Sequence, residues 1–277
     1  MKKCLFEKYV LILVAAAVTT ACGSQPPTPK AEAAASDPRF PGFLPGYLPK
    51  EALVDSLALL PAPPGAGSPA QAADDASRQA AARWRETPRW TWAMRDAELR
   101  FPQAATTFAC ALGVPVSTET TPNLVTLLRR TLVDAGLATY RAKNHYKRVR
   151  PFVAAGEPMC DPKHEAALRA DGSYPSGHSA VGMAWALVLS ELAPERVDAL
   201  MQRGVAFGQS RVVCNVHWQS DVEAGRVVGA AVVAQLRARP EFAEQLAAAR
   251  AEVTAARSAG LRSASDCEAE ARELAVR

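Results

Sequence analysis

The sequence predicts an all-α protein: a single compact helical domain preceded by an extended, proline-rich N-terminal segment. Apolar residues recur at helical spacing in successive long stretches, and no run alternates as a half-buried strand would. A chain of 277 residues, 49% hydrophobic and 22% charged, is long enough to bury one sizeable core. The net charge of +4 is too small and too dispersed to indicate a nucleic-acid partner.

The first element, residues 1–21, reads as an export signal. Lys2, Lys3 and Lys8 give the basic start, and Tyr9 to Ala21 is an apolar core too short to span a bilayer as a helix. Cys22 follows a small residue, as in a bacterial lipoprotein signal, and is the expected site of lipidation. That places the protein in the periplasm or on the outer membrane, with membrane contact only through the lipid anchor. Residues 22–39 ("GSQPPTPKAEAAAS" and its flanks) form a flexible tether with too little apolar surface to fold. The helical domain is expected over residues 40–277.

Within it, residues 38–68 are broken by proline and glycine and are expected to wrap the surface rather than enter the core. The alanine-rich "SPAQAADDASRQAAARWRE" begins the helices. In "TPNLVTLLRRTLVDAGLATYRAKNHYKRVR", Leu124, Leu127, Leu128, Leu132 and Val133 mark one apolar face. "SAVGMAWALVLSELA" is apolar almost all round and predicts a central buried helix. "PERVDALMQRGVAFGQSRVV", "SDVEAGRVVGAAVVAQLRA" and "PEFAEQLAAARAEVTAARSAG" continue the pattern, the first opening on a proline suited to a first turn. Ser265 and Glu268 have the spacing of a capping box. Trp84, Trp90, Trp92 and Trp185 are expected to pack in or on the core, and Trp218 behind any site at His217. With Cys4 and Cys22 set aside, Cys110, Cys160, Cys214 and Cys267 remain. Four cysteines in an exported chain predict two disulfides, in any of three pairings. No CxxC pair suggests structural zinc.

Three islands carry chemistry. In "KNHYKRVRP", Lys143 and Arg150 lie seven apart, on one face if the helix continues, and Pro151 should end it. Such a pair suits a phosphate, the arginine as a fork and the lysine as a point charge. In "SYPSGHS", Ser176 can cap a helix and Gly177 lets an anion approach its first amides, with His178 at the mouth. In "SRVVCNVHWQSD", His217 and Asp221 are four apart, so the carboxylate can fix the imidazole tautomer, and Arg211 supplies another cation. Ser210 is expected to support this site by hydrogen bonding. His145 and His164 fall at variable, polar positions and are expected to be structural or solvent-facing. No G-x-S-x-G elbow supports Ser176 as a nucleophile.

Together the islands read Lys-x6-Arg-Pro, Pro-Ser-Gly-His, then Ser-Arg-x5-His-x3-Asp. This resembles the superfamily that joins phosphatidic-acid phosphatases, vanadium haloperoxidases and bacterial non-specific acid phosphatases. "DSLALLPAPPGAGSPAQAADD", "GSYPSGHSAVGMAWALVLSELAPER" and "SRVVCNVHWQSDVEAGRVVGAA" look like the class A acid phosphatases, over roughly residues 45–235. The motifs match throughout; only Ser179, where threonine is common, differs nearby.

The resemblance implies a metal-independent phosphomonoesterase with no cofactor, acting on small-molecule phosphate monoesters. By it, His217 is the nucleophile, Asp221 orients it, and His178 is the general acid. Lys143, Arg150, Ser176, Gly177 and Arg211 hold the phosphoryl oxygens. A mildly acidic optimum follows if His217 must be neutral while His178 is protonated. The competing expectations are a lipid phosphate phosphatase, usually built on several membrane spans, and a vanadate-dependent haloperoxidase, usually a much longer chain. A non-catalytic phosphate binder would have no use for an oriented nucleophile. Subunit number, including a homo-oligomer, is left open.

Overall fold

The computed structural model describes residues 43–275. The export signal, the tether and Cys22 lie outside the described residues. Among the described residues every α- or 3-10 segment is joined by loops, with no strand between them. The α-helices in chain order are α1 (Ser56–Leu59), α2 (Pro69–Ala81), α3 (Pro88–Arg95), α4 (Ala109–Leu112), α5 (Pro122–Ala138), α6 (Tyr140–Tyr146) and α7 (Pro151–Ala155). They continue as α8 (Glu165–Ala170), α9 (Gly177–Leu192), α10 (Val197–Val213), α11 (Gln219–Leu236), α12 (Pro240–Ser258) and α13 (Cys267–Leu274). Proline opens α2, α3, α5, α7 and α12, where its missing N–H costs nothing. None of these helices is long and apolar enough to cross a membrane.

The axis is α9, whose apolar sequence is buried on every side by α5, α10 and α11. Trp185 fills its middle, with Phe101 and Phe108 edge-on and Phe207 tilted at 6.0 Å, and its indole N–H bonds the Leu128 carbonyl at 2.9 Å. Close approach of α11 depends on two glycines. A Cβ at Gly225 would stand 2.4 Å from the Ser176 carbonyl oxygen, and one at Gly229 would stand 2.3 Å from that of Ala180. Because those glycines let α11 lie against α9, the starts of the two helices meet: the Ser176 N–H donates to the Asp221 carbonyl at 2.9 Å.

Residues 43–60 differ from the expectation of a surface wrap. Tyr47, Leu48, Val54 and Leu60 belong to the main core. The buried Asp134 carboxylate takes the amides of Tyr47 (2.8 Å) and Leu48 (3.0 Å), and Tyr47 stands edge-on to Phe242. Proline keeps this segment extended, which leaves its amides free for a side-chain acceptor rather than a helix. The predicted capping box is displaced by one residue: Asp266, not Ser265, caps α13 by accepting from Ala269 N at 2.9 Å. Asp stabilises a helix start as both cap and charge.

Of the three possible pairings, the disulfides are Cys110–Cys267, which ties α4 to α13, and Cys160–Cys214, which ties the loop after α7 to the end of α10. The second lies in a satellite core of Ala93, Phe152, Met159, Val213 and Val216, with Trp84 and Trp90 packed against it. This cluster backs the loop that carries His217. Trp92 is stacked under Arg95, and Trp218 is buried with its indole N–H on the Val149 carbonyl at 2.8 Å.

Candidate active site

The three sequence islands converge. Lys143, Arg150, Gly177, His178 and His217 line one cavity of about 190 Å³, together with Asp171 and the apolar Leu132 and Val181. A larger cavity of about 1120 Å³ between α2, α10 and α13 is mostly apolar and includes no residue of these islands' catalytic set. The side chains singled out from the sequence gather at the smaller one.

Lys143 and Arg150 reach it by different means from those the spacing suggested. They do not share a helix face. α6 stops at Tyr146, Lys147 turns left-handed (φ 44°), and Arg150 is the extended N-cap of α7. Pro151 therefore starts a helix instead of ending one, and it holds Arg150 in the β region as a residue before proline should be held. The two cations still meet on one segment. Lys143 Nζ bonds the Gly172 carbonyl at 2.5 Å and Asp171 Oδ2 at 3.3 Å. Arg150 bonds the Asp171 carbonyl (3.0 Å), Asp171 Oδ2 (2.9 Å) and the Val216 carbonyl (3.0 Å).

Ser176 is the N-cap of α9, with its Oγ accepting from Ser179 N (3.3 Å) and Ser179 Oγ (3.0 Å). That leaves the Ser176 hydroxyl proton and the leading amides of Gly177 and His178 directed at the helix entrance, where the dipole favours an anion.

His217 also lies outside a helix. Trp218 is the N-cap of α11 and Asp221 its third residue, so Asp221 curls back over the helix start and takes Trp218 N at 2.9 Å. The same Oδ2 accepts from the Ser173 hydroxyl and stands 3.3 Å from His217 Nδ1, while Ser173 Oγ lies 3.4 Å from that nitrogen. On the other edge of the ring, Arg150 Nη1 is 3.1 Å from His217 Nε2. A guanidinium can only donate, so Nε2 carries the lone pair and Nδ1 the proton. The neutral ring thus holds its Nε2 lone pair toward Arg150, which lines the same cavity.

Asp221 Oδ1 is held by Arg148 Nη1 at 2.7 Å. The same guanidinium bonds Ser220 Oγ (2.7 Å), Asp74 Oδ2 (2.7 Å) and Gln71 Oε1 (2.8 Å), which links the dyad to α2. Arg211 is 2% exposed, and its Nε and Nη1 have no hydrogen-bond partner within the protein. Burial is a costly state for a cation that must then find an acceptor elsewhere. His178 donates Nε2–H to the Ala97 carbonyl at 3.0 Å and stacks on Phe207 with centroids 6.1 Å apart.

Crowded cations shift the titrations. Burial, then Arg150, lowers Lys143 to about 8, and the Asp171 contact only partly offsets this. Burial and Arg150 bring Arg211 to about 10. Burial, then Arg150, Lys143 and Arg211, holds His217 well below the usual histidine range. Burial and Arg211 do the same to His178 against the pull of the Ala97 carbonyl. An anion in the cavity would raise all four.

Comparison with known proteins agrees with this convergence. The family model for the PAP2 superfamily matches residues 123–242, which contain all three islands. A non-specific acid phosphatase of Providencia stuartii is 45% identical over 207 residues, 74% of this chain and 84% of that protein. One from Salmonella typhimurium is 43% identical over 210 residues, 76% and 84% of the two chains, and an acid phosphatase of Zymomonas mobilis is 38% identical over 204, 74% and 77%. The chain belongs to the PAP2 superfamily.

Within this PAP2 chain, Ser210 lies off the cavity, bonded to Asp96 Oδ2 at 2.5 Å and taking Arg89 Nη2 at 3.0 Å. His145 is exposed against Tyr146, and His164 pairs with Asp161 at 2.5 Å away from the site. Four residues escaped sequence reasoning: Ser173, Arg148, Asp74 and Asp171. Ser173 opens the very stretch that carries Ser176, and Arg148 stands two before Arg150, so a search for buried polar groups flanking the motifs finds both. Asp74 is more than 70 residues from either partner, and only the buried face of α2 hints at it.

Proposed function

We propose that this chain is an acid phosphatase of broad specificity that hydrolyses phosphate monoesters through a phosphohistidine on His217, without a metal ion. The orientation of His217 carries the reading: Nδ1 faces Asp221 at 3.3 Å while Nε2 faces the cavity beside Arg150 at 3.1 Å. Arg150 Nη1 turns from Nε2 to a phosphoryl oxygen, the Nε2 lone pair so released attacks phosphorus in line, and the bond to the ester oxygen breaks. His178 gives its proton to the departing alkoxide. Water then attacks the phosphohistidine, gives a proton back to His178, and phosphate leaves with Nε2 restored. Asp221, braced by Arg148, stabilises the positive ring.

Charge develops on the equatorial phosphoryl oxygens, and Lys143, Arg150, Arg211, the Ser176 hydroxyl and the Gly177 amide are the donors for them. Three cations supply what a metal ion would otherwise supply. Because Nε2 of His178 is bound to Ala97, the transferable proton is the one on Nδ1 of the imidazolium. With its pKa below the usual range, His178 reaches that state only in acid or beside a bound phosphate. Activity should therefore be highest in acid and decline as pH rises toward neutrality. A rate climbing steadily into alkali would overturn the assignment.

The decisive experiment is trapping labelled phosphoenzyme. His217→Ala should lose both turnover and label, and the wild type should keep its activity after exhaustive chelation. Label surviving in His217→Ala, or loss on chelation rescued by zinc, refutes the mechanism. Export and lipidation at Cys22 belong to the same reading, and two disulfides suit an oxidising compartment. Palmitate labelling that vanishes in Cys22→Ser tests the anchor.

A further inference from the structure

The best-paired acceptor in the cavity is not one that any of the three islands supplies. Asp171 is the C-cap of α8, two residues before Ser173, and its carboxylate lies in the cavity wall against both Lys143 and Arg150. Its Oδ2 is 2.9 Å from Arg150 Nη2 and 3.3 Å from Lys143 Nζ. The two cations are nearly inaccessible, at 4% and 2% exposure, whereas the Asp171 side chain is 30% exposed. So the carboxylate stands on the solvent side of the cations. Lys143 and Arg150 are also held by backbone carbonyls of Asp171, Gly172 and Val216, which keep them in position whatever the carboxylate does.

We propose that Asp171 is an affinity-setting anion that competes with the phosphoryl group for Lys143 and Arg150, and so sets how weakly phosphate and its esters are held. This deepens the phosphatase reading and rests on it. The donors on which a phosphoryl oxygen would settle already face an acceptor of the same charge. A dianionic ligand must displace the Asp171 carboxylate or lie beside it, and like charges a few ångström apart in a half-buried site repel strongly. The consequence favours turnover: product phosphate is subject to the same repulsion, so it is released rather than trapped on three cations.

The test is competitive inhibition by inorganic phosphate, with KM and kcat for p-nitrophenyl phosphate, at one fixed pH. Asp171→Asn keeps the shape and removes the charge; Asp171→Ala removes both; Asp171→Glu keeps the charge. The inference expects the phosphate inhibition constant and KM to fall about tenfold in Asp171→Asn and Asp171→Ala, with Asp171→Glu near the wild type. If Asp171 merely holds the cations in place, both constants rise instead, and the inference is wrong. Unchanged constants refute it equally. The underlying reading fails separately, if the wild type neither turns over the ester nor is inhibited by phosphate.

Discussion

Lys143 offers a quantitative handle on the proposed phosphate site. Holding its ammonium at a pKa of about 8 instead of 10.5 costs the folded protein about 3 kcal/mol at neutral pH, the charge of a buried cation beside Arg150. The sign follows from proton uptake. Between pH 8 and 10.5 the unfolded chain binds the proton and the folded chain does not, so this group's contribution to stability improves as pH rises through that window. Function runs the other way. Lys143 is a cation below pH 8 and is lost as one above it, so on top of the decline set by His178 its titration should lower kcat/KM for a phosphate monoester by a further factor of about ten per pH unit above pH 8. The assay is kcat/KM and phosphate inhibition from pH 6 to 10, with each variant divided by the wild type so that titration of the ligand cancels. Lys143→Arg, whose charge does not titrate, should lose this further fall, so its ratio to the wild type should climb above pH 8. Lys143→Met should sit low at every pH and lose it too. A limb near pH 8 that survives in both variants would show that another group is responsible.

Other outcomes follow from the same geometry. Arg148→Met leaves the Asp221 and Asp74 carboxylates buried without their cation, which should cost about 3–5 kcal/mol in denaturant unfolding and lower kcat as well; a loss under 1 kcal/mol would mean the network relaxes without it. Gly225→Ala forces a methyl to within 2.4 Å of the Ser176 carbonyl and should cost about 1–3 kcal/mol, whereas Gly136→Ala, with nothing within 4 Å, should be neutral or stabilising. His178 and His217 stay neutral in the folded chain at pH values where the unfolded chain protonates them, so stability should drop as pH falls below about 6.5. His178→Gln should flatten that slope in thermal scans from pH 7 to 5, and saturating phosphate should reduce it.

Much of the site is legible from one-dimensional patterns because its chemistry is anchored to helix starts. A cap such as Ser176 and a third-position carboxylate such as Asp221 are local signals, read from three or four consecutive residues. The path between Lys143 and Arg150 is not, because it turns on the left-handed Lys147, a residue with no intrinsic preference for that conformation. Nor are Asp171 and Asp74 legible, because an acidic side chain gives no sign of which distant cation it will meet. The proline-rich stretch misleads for a related reason. Proline predicts an extended backbone correctly, but whether Tyr47 and Leu48 face solvent or the core is settled by Asp134, almost ninety residues away.

The Cys160–Cys214 bond has a consequence for when the enzyme can exist. It closes a covalent ring that contains Asp171, Ser173, Ser176, His178 and Arg211, with His217 just three residues past the knot. Ring closure of this size restricts the unfolded chain by about 4 kcal/mol. In a reducing compartment the ring is open, and the loop presenting His217 is held at α7 by non-covalent contacts such as Phe152 N to the Asn215 carbonyl at 3.1 Å and Arg150 Nη1 to the Val216 carbonyl at 3.0 Å. If the proposed export holds, the covalent brace behind the His217 loop would close only once the chain had reached an oxidising compartment.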